Sequence, residues 1–546
     1  MNDQTLLLTN GQIHTLDPAG TIASTIALRA GRIIAVGAGA LAVAGDSCQT
    51  IDLGGRTVLP GLIDAHTHLE GTALHLASYA DCHAPPHRDV AGVLGALHAH
   101  AATKPPGDWV IGQGSFMLAE KLAEERYPTR DEMDAAVPHH PALIRAGAHV
   151  AVVNSAALRL LGIDDRFIPP PGAHVVRDAN GTPTGVLIEF WSHLKPPPFS
   201  LVDTENAVST MAARLSAFGV TSLGDQFPSA TGLRAYQRLR RAGRFPLRVS
   251  FTVLCPDLAA VQAFLRYGFE RGFGDEYLRV GGIKFFVDGG ITAAAGAFYD
   301  DYRHQPGNRG ALKLERDELY AMVRAIDEAG CQVSAHVVGD RALDLLLDAF
   351  AAIPHPSGQR HRLEHAGHLC MTPQRIARIA DMGLIPVVTM PFLNAFGDFL
   401  GGYLGERAAG AFALRRLLDA GLVVAGSSDS LGAQPESLNP FFGIWCAVAR
   451  QTYRGQTLAP EEAVSPLEAL RTYTTGAAYA DVAETKTGSL EPGKLADLIV
   501  CDRDPLALPP AALKEFRPVA TILGGELVSG VLPSSRSIPE DRDTAQ

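Results

Sequence analysis

The chain has 546 residues, too many for one ordinary core but enough for a large barrel with accessory units, so two or three domains are expected. Its 47% hydrophobic and 19% charged residues give a globular composition, and the 55 glycines and 36 prolines point to many tight turns. A formal net charge of −11 with no overriding Lys/Arg cluster opposes nucleic acid or an anionic membrane surface as partner and leaves a small molecule.

Met1 to Thr5 lacks the basic segment of a secretory leader, and no apolar stretch reaches the roughly 18 residues of a membrane span. The seven cysteines show no Cys-x-x-Cys spacing and an odd total, so neither a zinc knuckle nor a disulfide framework is indicated. A soluble, cytoplasmic protein is expected, and a homodimer is compatible with it.

Residues 5–60 alternate short β-branched runs (5–8, 25–28, 32–36 and 57–59) with Asn10-Gly11, Ala30-Gly31 and Gly54-Gly55 turns, the texture of a small antiparallel sheet. Gly37 to Ala42 imitates a dinucleotide loop, but no βαβ unit surrounds it and a turn is the expected structure. The same texture returns at 488–523, so residues 1–60 and 486–532 are expected to pair into one composite β-sandwich domain. Residues 533–546 are polar and read as a tail.

Eight apolar runs between these ends read as strands: 62–68, 220–225, 247–253, 282–288, 331–337, 362–366, 384–390 and 422–429. Helices separate several of them. Thr372-Pro373 opens one that Gly383 closes, 317–329 ends at Gly330, and Ser465-Pro-Leu-Glu468 is a capping box. This alternation argues for an α/β protein built on a (β/α)8 TIM barrel, spanning 61–71 and 204–485. The Pro-punctuated interval 72–203 is too long for a crossover and reads as a domain inserted after the first strand, with a short strand near 186–189.

Active groups of such barrels come from the C-terminal ends of the strands. The first run ends in His66 and His68, which period-two geometry places on one face; the fifth ends in His336, the sixth in His365 and the eighth in Asp429. Lys284 interrupts the apolar fourth run. Each alone has an ordinary explanation, as a hydrogen-bonded core histidine, an edge lysine or a helix cap. Together, four imidazoles and a carboxylate are a donor set for Zn²⁺ or a similar divalent ion. A strand lysine among cations must be neutral or converted to an anion, and a carbamate formed with carbon dioxide does the second.

These motifs resemble the amidohydrolase superfamily, within it the metal-dependent hydrolases that include N-substituted formamide deformylases. The likeness runs from Pro60-His68 through Gly107-Asp-Trp109, Asn154-Ser-Ala-Ala157, Gly282-Ile-Lys284, Asp288-Gly289, His336 to Ala342, Arg362-Leu-Glu-His365 and Gly426-Ser-Ser-Asp429. The resemblance implies that His66, His68 and Asp429 hold the more buried of two metals and that His336 and His365 hold the other. It makes carboxylated Lys284 the bridge between them. Two places depart from the subgroup: Gly290 to Phe298 replaces a Ser/Arg/Thr-rich run, and Gly-Ser-Ser-Asp-Ser ends the eighth strand.

The expected chemistry is hydrolysis of an amide or related C–N bond by metal-activated water, with Asp429 as base and Lys284 and His365 completing the catalytic set. His149, Asp340, Arg341 and His368 are candidates for orienting substrate or ligands. Alternatives are a mononuclear deaminase, for which Asp340 would be the acidic shuttle, and an esterase or lactonase on the same scaffold. No Gly-x-Ser-x-Gly elbow supports a serine hydrolase. Aromatic residues at 390–399 and 441–445 suggest a pocket for an apolar substituent.

Overall fold

The computed structural model describes residues 4–533 except 44–47, 148, 171, 191–192, 195–196, 355 and 432–433. Beyond Pro533, the expected tail lies outside the described residues.

Eight strands form one all-parallel sheet in sequential order: Leu62–Thr67, Val220–Asp225, Arg248–Leu254, Leu278–Phe286, Val333–His336, Arg362–Glu364, Ile385–Val388 and Ala425–Gly426. They are apolar because helices cover the outside while the ring fills its own interior; Ile283, Phe285, Val333, Ala335 and Leu363 are all fully buried. The last strand is short, and residues 427–429 beyond its end do much of the closing of the circle. The Asp429 N–H donates to the His66 carbonyl at 2.9 Å, and the Ser428 N–H donates to Asp64 Oδ1 at 3.0 Å. The barrel is thus sealed at the C-terminal ends of its first and last strands, where candidate ligands sit.

The helix signals act as expected. Thr372 caps Pro373–Asp381 by accepting from the Arg375 N–H, and the Ser465–Glu468 capping box is complete. Helices Leu69–Ser78 and Leu201–Ala217 bracket the insertion, and Leu69 and Ala73 share a buried cluster with Val208, Met211 and the barrel residues Val220 and Val249. The expected cuts at 71/72 and 203/204 therefore fall inside helices that pack with the barrel.

Between those helices lies a separate six-stranded sheet, ordered His174–Arg177, Pro183–Ile188, Val150–Val153, Ala142–Ala146, Val110–Gly114 and Ala80–Asp81. The strand expected near 186–189 begins earlier, at Pro183.

Both chain ends build one two-sheet unit. Thr57–Pro60 pairs antiparallel with Leu498–Cys501 inside a six-stranded sheet, and Leu8, Ile26 and Ile51 of the facing four-stranded sheet share a core with Leu498, Val500 and Ile522. The N-terminal part is mixed rather than purely antiparallel. Leu6–Thr9 runs parallel to Gln49–Asp52 and Gln12–His14 parallel to Thr57–Pro60, because excursions between them reverse the chain twice. The turn expected at 37–42 is a short helix, Ala38–Val43, entered through Gly37 with φ of 71°. Arg248 of the barrel joins this unit by two hydrogen bonds to buried Asp497, at 2.7 and 2.9 Å.

Candidate active site

The C-terminal strand ends open into a cavity of about 120 Å³. His66, His68, Lys284, His336, His365 and Asp429 all line it. Two of them depend on unusual backbone. His365 and Asp429 have φ of 70° and 41°, a left-handed conformation costing on the order of 1–3 kcal/mol in a residue other than glycine. In each case the chain turns off its strand and swings the side chain toward the mouth.

Ligating atoms of His66, His68 and Asp429 all lie within 4.8 Å of one another. Asp429 Oδ1 is 3.2 Å from His68 Nε2 and 3.6 Å from His66 Nε2, and Oδ2 is 3.8 Å from His365 Nε2. The His336 and His365 rings are 4.7 Å apart, those of His66 and His365 5.0 Å and those of His66 and His68 5.4 Å, so the four imidazoles form one continuous group.

The hydrogen bonds behind these rings decide which nitrogens face inward. His68 Nδ1 donates to the Gln226 carbonyl at 3.2 Å, since a carbonyl can only accept. His66 Nδ1 donates to Glu364 Oε2 at 2.6 Å. Burial, with the nearby Lys284 charge, drops the His66 pKa to about 4, so that ring is neutral with its Nε2 lone pair turned toward Asp429. A lone pair facing a carboxylate is repulsive until a cation lies between them, so this donor set fits a divalent ion. The buried Nδ1 of His365 has no hydrogen-bond partner, and burial holds His336 and His365 neutral, the form that ligates.

Lys284 is 1% exposed, and burial lowers its pKa to about 8 against the opposing pull of Glu364 and Asp429. Its amine is therefore available as the free base at mildly alkaline pH.

The four weaker candidates divide. His149 lines the cavity; its Nδ1 is 2.9 Å from Glu189 Oε1, and Glu189 is also held by Lys313 Nζ at 2.9 Å. His368 lines it too, but its Nε2 accepts from the Thr389 N–H at 2.7 Å, which ties it to the barrel wall. Asp340 and Arg341 are not among the lining residues. Asp340 begins helix Asp340–Ala351, where its Oδ1 accepts from the Tyr299 N–H at 3.0 Å, and Arg341 Nη2 donates to the Gly310 carbonyl at 3.3 Å. Of the expected aromatic rim, Phe392 and Phe396 line the cavity, whereas Phe441, Phe442 and Trp445 are packed into the core.

Supporting residues went unassigned from sequence. Glu364 accepts from Ser334 Oγ at 2.7 Å, Arg362 Nε at 2.7 Å and His66; Asp64 accepts from Ser428 Oγ at 2.5 Å. Both are carboxylates inside apolar strands, the same signal that drew attention to Lys284. Arg145 and Phe116, from the segment between helices Leu69–Ser78 and Leu201–Ala217, also line the cavity, and no motif marked them.

A parallel eight-stranded barrel gathering four imidazoles, an amine and a carboxylate around one cavity is the framework of a metal-dependent hydrolase. The model of the Amidohydrolase family matches residues 49–529, and the chain belongs to that family. It is 33% identical to the N-substituted formamide deformylase of Arthrobacter pascens, covering 96% of this chain and 98% of the relative. It is 30% identical to Protein LONG AFTER FAR-RED 3 of Arabidopsis thaliana, over 91% and 86% of the two chains. Among solved structures, a metal-dependent hydrolase from Pyrococcus furiosus superposes with a TM-score of 0.70 at 26% identity, covering 92% of this chain and all of that one. The protein is accordingly an enzyme, a metal-dependent amidohydrolase acting on carbon–nitrogen bonds other than peptide bonds.

Proposed function

We propose that the enzyme hydrolyses the C–N bond of an N-formyl or N-acyl compound bearing an apolar substituent. The carrying observation is the convergence of the His66 and His68 Nε2 atoms on Asp429, backed by fixed Nδ1 donors. His66, His68 and Asp429 would hold one divalent ion, zinc being the best match to an imidazole and carboxylate set, and His336 and His365 a second. Lys284, carboxylated on Nζ, would bridge the two. A divalent ion bound there lowers the pKa of water toward neutrality and polarises a carbonyl oxygen.

Asp429 takes the proton from the attacking water and delivers it to the leaving nitrogen, which makes departure as a neutral amine feasible. Phe116, Phe286 and Phe392 supply an apolar wall for the substituent and keep bulk water from the reacting bond. The likeness to an N-substituted formamide deformylase over nearly the full length of both chains supports the choice of bond. Against a deaminase, Asp340 is engaged at a helix start and does not line the cavity. The seven unpaired cysteines suit a reducing, cytoplasmic compartment.

The test is metal analysis of protein purified without added metal, with a subsequent screen of N-formyl and N-acyl amines, carbamates and lactones. Bound zinc near one to two equivalents and amide turnover lost on chelation are expected; well under one equivalent with full activity after chelation refutes the reading.

A further inference from the structure

Arg145 lies on strand Ala142–Ala146 of the inserted domain, paired in register with Gln113 on one side and Ala151 on the other, and its side chain lines the active-site cavity. Its Nε is sealed from solvent without a hydrogen-bond partner, and no described acid forms an ion pair with the guanidinium. By contrast Arg248, Arg362 and Lys313 each have an acid partner, Asp497, Glu364 and Glu189 respectively. The groups that sense Arg145 are the His75 imidazole, pushed well below its usual pKa by burial and next by the Arg145 charge, and the Tyr79 phenol. Neither can neutralise it.

Asp429 is the one carboxylate among the described lining residues, and it is already engaged by His66, His68 and His365. A guanidinium turned into a mainly apolar cavity, beside a site suited to divalent cations, is electrostatically unfavourable unless an anion joins it. What enters the cavity is substrate. The planar fork of a guanidinium matches a carboxylate through two parallel hydrogen bonds, which fixes orientation as well as charge.

We propose that Arg145 binds a carboxylate of the substrate, so that the compound hydrolysed is an N-formyl or N-acyl amine carrying both an apolar substituent and an acid group. This rests on the amide-hydrolase reading and deepens it: the barrel supplies the chemistry and the inserted domain selects an acidic substrate.

The experiment compares N-formylphenylalanine, in both enantiomers, with N-formylphenethylamine, which lacks only the carboxylate, using metal-loaded wild type, Arg145→Met and Arg145→Lys. Wild type is expected to favour the acid in kcat/KM, and Arg145→Met to lower the acid-to-neutral ratio by about 10- to 100-fold, mainly through KM, the loss of a charged hydrogen-bonded pair. Arg145→Lys, which keeps the charge without the fork, should fall between. Binding is read independently of turnover by calorimetry with 3-phenylpropanoate and 3-phenylpropanamide. Arg145→Met should lose affinity for the acid while retaining wild-type metal content. An acid-to-neutral ratio unchanged in Arg145→Met, or equal binding of 3-phenylpropanoate by both proteins, overturns the proposal. If no amide is hydrolysed yet Arg145→Met still loses the acid, the amide reading fails and the carboxylate site stands.

Discussion

Replacing Glu364 by Gln isolates the support behind one candidate ligand. Glu364 accepts four hydrogen bonds: from His66 Nδ1 at 2.6 Å, Ser334 Oγ at 2.7 Å, and Arg362 Nε and Nη2 at 2.7 and 3.2 Å. Burial would favour its neutral form, but Arg362 and then His66 keep it ionised, well below the usual range. A glutamine has one oxygen and one NH₂ for these donors, so its NH₂ must oppose either His66 or the Arg362–Ser334 pair. If it opposes His66, the ring proton moves to Nε2 and the lone pair that would meet the metal is lost. If it opposes Arg362, donor faces donor, and in either orientation the buried guanidinium loses its counter-charge. A charged hydrogen bond is worth about 1.5–3 kcal/mol, and support of this kind behind a metal-ligating histidine is worth roughly 10- to 100-fold in affinity. Zinc dissociation constants, measured by competition with a chromogenic chelator, should therefore rise by about that factor in Glu364→Gln. Equal affinities within about twofold would show that the tautomer of His66 is not set by Glu364.

Lys284→Ala should lose most activity and regain part of it with a short carboxylic acid such as acetate, while crystals of loaded wild type show density beyond Nζ; an amine ion-paired beside a single metal would refute the bridge. Arg248→Met should lower stability by about 3–5 kcal/mol, because Asp497 is left buried without its partner, and Arg248→Met/Asp497→Asn should recover much of the loss. Thermal midpoints decide this, and a double variant as unstable as the single one would count against it. Burial pushes the Asp225 carboxyl up to about 7 from an ordinary 3.8, so the folded protein binds that proton more tightly than the unfolded chain. The stabilisation is complete below pH about 3.8 and is lost as pH rises through about 7, so wild type should lose ground to Asp225→Asn over that interval; a constant difference between their midpoints would refute the assignment.

The barrel and the ends of its strands were legible in the sequence. Apolar runs of strand length, several of them separated by helix start and stop signals, are local properties, so the eight strands could be placed within a few residues and their last polar residues picked out. His-x-His at 66 and 68 needs only the two-residue period of a strand to put both rings on one side. How those ends meet is a property of the closed fold. The left-handed backbone at His365 and Asp429 aims their side chains, and no run of residues announces it for a histidine or an aspartate. Glu364 stands behind His66, 298 positions away in the chain, because strands one and six face each other across the barrel interior. Asp340 belongs to the same motif as His336 yet is absent from the cavity lining, and its carboxylate is taken by the Tyr299 N–H. Arg145 enters from another sheet, at a distance along the chain that periodicity cannot bridge. Local patterns fix elements and the direction of side chains along them, whereas contacts between distant elements depend on packing that only the assembled chain supplies.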